Sequence, residues 1–354
     1  MNTTPNPKDS MKSTWRTDRS QWNIYHWILE TLNVHPSYID RETPVHSKKD
    51  SVPYLPEWQM HRWILFHALL PLAIHQALVS LTGRNMGPIG AFFFYSIAFK
   101  AIAIHQIQSM RYLDHIYGFF DGDKHGRNEV PDVSVGKVVR SLLSTSTFRS
   151  MMVIIFSYRK SQTPMSTNWY WLPIEIGLYS IILDFWFYWY HRIMHQSDTL
   201  WQWHRTHHLT KHPNPLLTLF ADGEQEFFDM LGIPFISWCT MKLIGSPMGF
   251  YEWWICSQYV VFTELAGHSG LRILASPPST LSWLLTMFDC NLVVEDHDLH
   301  HRYGWKQSSN YGKQTRLWDK VFGTCRERVE CTPENIDYSK KVEMSLFSFP
   351  TKVP

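Results

Sequence analysis

Three histidine clusters follow one another between His191 and His301, and their spacing points to metal chemistry. They are His191-x3-His195, His204-x2-His207-His208 and His297-x2-His300-His301, called here the first, second and third boxes. Residues three and four apart lie on one face of an α-helix, so the rings of each box are expected to lean toward one point. Neutral imidazole binds iron, zinc, copper and nickel. The spacing therefore predicts a transition-metal pocket with eight histidine ligands.

Long apolar segments must position these boxes. Residues 55–82 and 87–108 each approach the roughly 20 residues needed to cross a bilayer, and a short turn joins them. Residues 169–190 are long enough to span and run directly into the first box. Residues 227–244 and 250–266 predict a second hairpin, which turns at Gly245-Ser246-Pro247.

The remaining segments are less regular. Residues 1–19 are rich in Thr, Ser, Pro and Lys and are expected to be disordered, whereas residues 21–34 predict a short aromatic helix. Residues 112–149 are mixed and polar, and residues 148–158 are apolar but too short to span alone. An apolar stretch before Val294 is expected at the membrane interface.

A single metal centre requires all three boxes to lie on one side of the membrane. The first and second boxes are close in sequence and share a side. Two crossings between His208 and His268 return the chain to that side, whereas an odd number would forbid a common site. The short segment 148–158 leaves the side of the N-terminus open.

The boxes and their surroundings resemble the fatty acid hydroxylase superfamily, which includes sterol desaturases and sterol methyl oxidases. The aromatic stretch from Asp184 to His195 is similar to the family's helix that ends in the first box. The Gly-His-Ser-Gly sequence at 267–270 is similar to the family's isolated histidine. Residues 310–312 and 317–324 are similar to the segment that closes the catalytic region. The resemblance covers residues 148–324.

This resemblance implies an integral membrane enzyme with a non-haem di-iron centre that uses O2 to hydroxylate or desaturate lipids. It implies His268 as a ninth ligand, the alternative being a packing histidine at a helix end. It also implies cytochrome b5 or a similar external electron donor. No nucleotide fingerprint or haem-binding signature is visible in the sequence that would supply electrons internally.

Two carboxylates are expected to support the ligands. Asp184 falls seven residues before His191 inside an apolar segment, where an ionisable residue is costly unless it has a function. We expect Asp184 to orient a ligand histidine, the alternative being a hydrogen bond between helices. Glu264 lies four residues before His268 and is expected to accept a hydrogen bond from a ligand or, alternatively, to be a tenth ligand.

The ligand type constrains the chemistry. A structural zinc site needs four ligands and often includes thiolates. Eight to ten nitrogens are too many for one zinc and fit two metals, each with an open position for oxygen. Lipid C–H bonds are unactivated, so a cofactor must break them.

The composition narrows the class of protein. A formal net charge of +2 and the lack of a long Lys/Arg block argue against nucleic-acid binding. The five scattered cysteines predict neither a disulfide framework nor a cysteine zinc site. The 17 Trp and 16 Tyr residues are typical of membrane interfaces. The polar start of the chain predicts no cleavable signal peptide.

We therefore predict an all-α membrane helical bundle with a histidine-rich di-metal site at its cytosolic face, located in the endoplasmic reticulum. The expected domains are a polar N-terminal segment (1–54), a transmembrane hairpin with a polar loop (55–147), a catalytic domain (148–324) and a tail (325–354). Lys and Arg residues near the boxes favour the cytosol.

Three functions follow from this interpretation. The first is O2-dependent hydroxylation of a lipid, with a fatty acyl chain slightly favoured over a sterol. That preference rests on residues 221–226, where Ala-Asp-Gly-Glu-Gln-Glu replaces the His-Pro-x-Glu motif of many sterol-acting members. The second is desaturation by the same centre. The third is a non-catalytic membrane protein that retains its histidines for metal storage or scaffolding.

Overall fold

The structure of the chain is a computed structural model that describes residues 6–38 and 41–347. It is mostly helical. In chain order the elements are α1 (Ile24–Leu32), β1 (Val52–Tyr54), α2 (Glu57–Thr82), α3 (Pro88–Tyr117), α4 (Val135–Ser157), α5 (Leu172–Gln196), α6 (Asp198–His204), α7 (Gly223–Phe227), α8 (Ile233–Leu243), α9 (Phe250–Gly267), α10 (Ser282–Met287), α11 (Val294–Tyr303), α12 (Leu317–Val321) and β2 (Ile336–Lys341).

Helix α9 is the centre of the fold. It packs against α2, α3, α4, α5 and α11, and 15 of its 18 residues are buried. Its core side chains include Trp253, Trp254 and Tyr259. Fully burying a large apolar side chain stabilises the fold by roughly 1.5–3 kcal/mol, so this helix fixes the position of its own C-terminal end. His268 is the residue at that end.

Three helical segments are long and apolar enough to cross a membrane, namely α2, α3 and Asp132–Ser157. The first two confirm the predicted hairpin. Helix α3 begins with a proline, Pro88, and runs to Tyr117, beyond the predicted end at residue 108. It stops at Gly118, whose φ of 71° favours glycine.

The expectation of a polar connection over 112–149 holds only for residues 118–134, because residues 112–117 end α3 and residues 135–149 belong to the long helix α4. Its hydroxyl side chains donate to carbonyls four residues earlier, as from Ser146 to Leu142 (2.9 Å) and from Ser150 to Ser146 (2.8 Å). Such bonds satisfy polar side chains within a helix, so a serine-rich sequence remains helical there.

The second predicted hairpin exists, with α8 and α9 joined through the predicted turn. A π-helical turn, Phe228–Gly232, precedes α8. Neither α8, α9 nor α5 belongs to the three apolar spans found in residues 6–38 and 41–347. Helix α9 is enclosed by other helices and does not present a face to the surroundings.

The prediction of disorder over residues 1–19 is wrong for residues 6–19, while residues 1–5 lie outside the described part. Trp15 is buried, and Thr14 donates to the Asp132 carboxylate through its backbone N–H (2.7 Å) and hydroxyl (2.9 Å). These partners are more than a hundred residues apart, so local composition gives no sign of them. At the other end of the chain β2 pairs with β1 in parallel, with Val52 opposite Ile336.

Candidate metal centre

Helix ends deliver the histidines to one place. Helix α5 carries the first box in its last two turns, and α11 carries the third. Helix α6 ends at His204, and the following turn presents His207 and His208. His268 closes α9. Only Ser197 separates α5 from α6, whereas packing between helices, including that of α11 on α9, brings the more distant histidines to the same place.

The structure gathers these nine histidines into two buried groups, with the candidate donor atoms of each group within 4.8 Å of one another. The first histidine group contains His191, His195, His204, His208 and His300; the second contains His207, His268, His297 and His301. The rings of the second and third boxes therefore do not lean toward one point, as the sequence had suggested. Each of these two boxes contributes to both groups.

Distances between ring nitrogens match those of ligands that share an ion. The Nε2–Nε2 separations are 3.0 Å for His191–His204, 3.1 Å for His195–His204, 3.0 Å for His208–His300, 3.2 Å for His207–His268 and 3.0 Å for His268–His297. Two nitrogens about 2.1 Å from one ion and at right angles to each other would be about 3.0 Å apart. The residues present therefore fit one metal ion in each group.

Backbone carbonyls orient most of the rings. Nδ1 lies within hydrogen-bond distance of Tyr311 O for His191 (2.8 Å), Trp305 O for His195 (2.7 Å), Ser309 O for His300 (2.7 Å), Phe220 O for His207 (3.2 Å), Glu264 O for His268 (2.7 Å) and Thr210 O for His301 (3.0 Å). A carbonyl only accepts, so Nδ1 carries the proton in each case. The Nε2 lone pair is then free to face its group.

Burial keeps the rings neutral. It lowers the pKa of His195 to about 4 and that of His268 to about 3. The pKa values of the other seven fall well below the ordinary 6.5, with burial as the largest cause. Metal ligation requires unprotonated nitrogens, so the nine rings are ready to bind at neutral pH.

Gln225 is a contributor that sequence reasoning missed. Its side chain lies beside the His204 ring and opposes the burial-driven fall of the His204 pKa. Its Nε2 also donates to Asp229 Oδ2 (3.2 Å), and Asp229 lies 3.7 Å from Lys313 Nζ. Asp229 stands in the π-helical turn, a feature frequent at functional sites. The sequence offered one sign of this role, since residues 221–226 differ from the family's His-Pro-x-Glu motif.

Asp184 contacts no histidine directly and instead anchors the loop beside them. Its Oδ1 accepts from the backbone N–H groups of Lys313 (2.7 Å) and Gln314 (2.9 Å). Its Oδ2 accepts from the N–H (3.1 Å) and hydroxyl (2.6 Å) of Thr315. This loop also holds Tyr311, whose carbonyl accepts from His191. The influence of Asp184 on a ligand thus passes through the loop.

Asp319, which sequence reasoning did not single out as a site residue, anchors the same loop from the other side. Its carboxylate accepts from the backbone N–H groups of Tyr311 (2.8 Å) and Gly312 (2.7 Å) and from the Thr324 hydroxyl (2.7 Å). Burial raises its pKa to about 6. Two buried carboxylates therefore hold one loop that supplies a carbonyl to the site.

The Glu264 carboxylate belongs to neither histidine group. It lies 3.4 Å from Arg149 Nη2, in a partly buried ion pair. The expected acceptor for His268 is provided by the Glu264 backbone carbonyl. In an α-helix the carbonyl of residue i lies close to residue i+4, which brings the Glu264 carbonyl within reach of the His268 ring.

A narrow apolar cleft ends at the second histidine group. Its walls include Met60, Phe262, Leu292 and Val294, and His268 and His297 form part of its lining. The charged side chains on it are Glu264 and Lys313. A slender hydrocarbon chain suits such a cleft better than a polar molecule does.

Comparisons with known proteins agree with this geometry. The fatty acid hydroxylase family model matches residues 176–324. A protein named fatty acid hydroxylase vlmA from Lecanicillium sp is 42% identical over 322 residues, covering 87% of this chain and 88% of that protein. No solved structure shows a significant match.

More distant relatives share part of their length with the chain. Human alkylglycerol monooxygenase is 25% identical over 66% of this chain and 47% of its own length. Methylsterol monooxygenase 2-2 of Arabidopsis thaliana is 26% identical over 60% of this chain and 77% of its own length. The extent of the match with the Lecanicillium protein decides the assignment. The chain belongs to the fatty acid hydroxylase family.

Proposed function

We propose that the protein is a membrane-bound, non-haem di-iron hydroxylase that inserts oxygen from O2 into an unactivated C–H bond of a lipid. As a member of this family it is an oxidoreductase, and relatives named for fatty acids, alkylglycerols and methylsterols support a lipid oxygenase. The observation that carries the di-iron proposal is the division of nine neutral, buried histidines into two groups.

Five histidines of the first group and four of the second would hold one iron ion each. Bound iron supplies the redox chemistry needed to activate O2 for attack on a C–H bond. The protein holds the rings in place through carbonyl acceptors and excludes water by burial. The histidine groups contain no cysteine or carboxylate. Electrons come from an external donor, for which cytochrome b5 or a similar protein is proposed from the family resemblance.

The apolar cleft supports a hydrocarbon substrate. It ends at His268 and His297 of the second group, which has one histidine fewer than the first. A hydrocarbon chain in the cleft would bring a carbon beside His268 and His297, two of the residues that would hold the second ion. A flexible fatty acyl chain fits the narrow walls, whereas a rigid sterol-like lipid demands more width. We therefore favour the acyl chain as substrate.

The alternative with the same centre is desaturation. A related protein from Oryza sativa subsp. indica is named very-long-chain aldehyde decarbonylase, so the family includes more than one chemistry. The placement of the substrate carbons decides the outcome. A non-catalytic metal-binding role is the remote alternative, but all three boxes are complete and fully buried.

The three apolar spans support a membrane protein. We propose a multi-pass location in the endoplasmic reticulum with the histidine groups facing the cytosol, where iron, reductant and an electron donor are available. Lys and Arg residues near the boxes, including Arg192, Lys211 and Arg302, favour that orientation.

Expression in a host that lacks the protein, followed by mass spectrometry of total lipids, tests the proposal. Hydroxylation predicts a new lipid that has gained one oxygen atom, and desaturation one that has lost two hydrogen atoms. A variant with His207→Ala must form neither product. Equal product levels with the variant and the native chain would refute a role for the histidine groups.

A further inference from the structure

A third cluster of metal-type side chains lies outside the two histidine groups. The carboxylate of Asp121 and the rings of His125 and His212 have donor atoms within 4.8 Å of one another. They share a surface cavity of about 460 Å³, which is also lined by Lys48, Lys124, Lys211, Arg302 and Tyr303. The cavity forms where the loop after α3 packs on the residues that follow the second and third boxes.

The charges around this cavity favour an anion over a divalent cation as its ligand. Four cationic side chains face a single carboxylate, an excess of three positive charges when both histidines are neutral. Asp121 already has partners, since its Oδ1 lies 2.6 Å from Lys48 Nζ and 3.6 Å from Arg302 Nη1. A metal ion would have to displace Lys48 and remain among like charges, which is unfavourable.

Neighbouring acids do not cancel the excess. Asp298 contacts Arg302, but its other oxygen lies 2.8 Å from Arg127 Nη2, so two cations share that carboxylate. The Arg302 side chain is only 4% exposed, and within the described part of the chain its Nε and Nη1 have no hydrogen-bond acceptor. These two nitrogens are closed off from solvent, so Arg302 contributes to the cavity through its positive charge, whereas the lysine side chains supply exposed donors.

We propose that this cavity binds a phosphate-bearing ligand of the phosphomonoester type. Its volume lies in the range of small-molecule sites, roughly 300–1,000 Å³. Arginine and lysine are the side chains that bind phosphate oxygens most often. The rings of His125 and His212, with centroids 4.6 Å apart and planes tilted by 31°, add further nitrogen donors on one wall. The phosphate belongs either to a free metabolite or to a lipid headgroup, since both present the same oxygens.

Calorimetric titration of the detergent-purified full chain tests this site. The probes are inorganic phosphate, a short-chain phosphatidic acid and the matching phosphatidylcholine, which lacks a phosphomonoester. The double variant Lys124→Gln/Lys211→Gln removes two positive charges from the cavity lining and should weaken phosphate and phosphatidic acid binding by about tenfold. The matched control Lys49→Gln/Lys160→Gln changes two exposed lysines that do not line the cavity and should bind as the native chain does.

The possible outcomes distinguish a lipid headgroup from a free phosphate compound, and both of these from a metal ion. Tighter binding of phosphatidic acid than of phosphate supports the site and assigns the headgroup, whereas equal or weaker binding supports it and assigns a free phosphate compound. Unchanged phosphate affinity in the double variant, or no measurable binding to the native chain, overturns the proposal. So does a third metal ion per chain that is lost on His125→Ala, because the cluster would then be a metal site. Product formation plays no part in these measurements.

Discussion

Replacement of Asp184 by Asn tests how the histidine groups are kept in position, because Asp184 acts on them only through the loop of residues 311–315. The native carboxylate accepts three backbone N–H groups and one hydroxyl from residues 313–315. Asparagine keeps one oxygen, which can still accept from Lys313 and Gln314. Its amide nitrogen replaces the oxygen that accepts from Thr315.

The expected loss of iron affinity follows from the replacement of one carboxylate oxygen by an amide nitrogen. The Thr315 hydroxyl can rotate to accept from the new amide, but the Thr315 backbone N–H loses its acceptor in a fully buried position. An unsatisfied buried donor costs about 1–3 kcal/mol. A cost of about 2 kcal/mol in the loop corresponds to a factor of about 30 in a binding constant. This lies within the 10–100-fold losses typical when groups that orient metal ligands are removed.

Iron retention against a graded series of chelator concentrations measures the effect, with circular dichroism to confirm that α5 and the rest of the fold persist. Thr315→Val is the matched control, because it removes one hydroxyl bond and leaves all three N–H bonds to Asp184 intact. We expect its loss of iron affinity to be clearly smaller than that of Asp184→Asn. Native iron affinity in a folded Asp184→Asn protein would refute the loop-anchoring explanation.

Four further predictions address the centre as a whole. The protein purified under reducing conditions should contain about two metal ions per chain by elemental analysis, with zinc replacing iron during overexpression; a folded protein with no metal would contradict the assignment. His207→Ala should abolish product formation while His46→Ala, outside both groups, leaves it largely intact, as measured by lipid mass spectrometry. Glycosylation acceptor sites inserted after Lys211 and Lys306 should both stay unmodified; modification of only one would separate the boxes. The metal-free protein should lose thermal stability as the pH falls from 6.5 toward 4. In the unfolded chain the histidines bind protons over this range, whereas folded His195 and His268, with pKa values of about 4 and 3, stay neutral. A melting temperature that does not change over this pH range would contradict the prediction.

The histidines of the candidate metal centre were predictable from the sequence, whereas the groups that orient them were not. Spacing alone identifies the boxed histidines, since helical periodicity converts it directly into a shared face. The carbonyls that orient six of the nine rings carry no sequence signature, because every residue has one. Trp305, Ser309 and Tyr311 are close to the site through loop geometry alone. The same applies to Asp184, whose contacts with the loop join residues more than a hundred positions apart.

The errors at the level of helices have a similar origin. Residues 135–157 form one helix although serine and threonine interrupt the apolar pattern, since hydroxyl groups bond within the helix itself. Residues 6–19 are ordered although polar, because Trp15 and Thr14 find partners near residue 130. Composition reports how a segment interacts with solvent. It does not report which distant surface will cover it.

The repeated His-x2-His-His form explains why the two histidine groups cannot be built separately. In the second box, His204 and His208 enter one group and His207 enters the other. The third box reverses this order, with His297 and His301 in the second group and His300 in the first. In both boxes the first and last rings stay together and the middle one crosses over. In the second and third boxes, the backbone of a single turn therefore sets the distance between the two histidine groups. This favours one coupled two-metal centre over two independent sites.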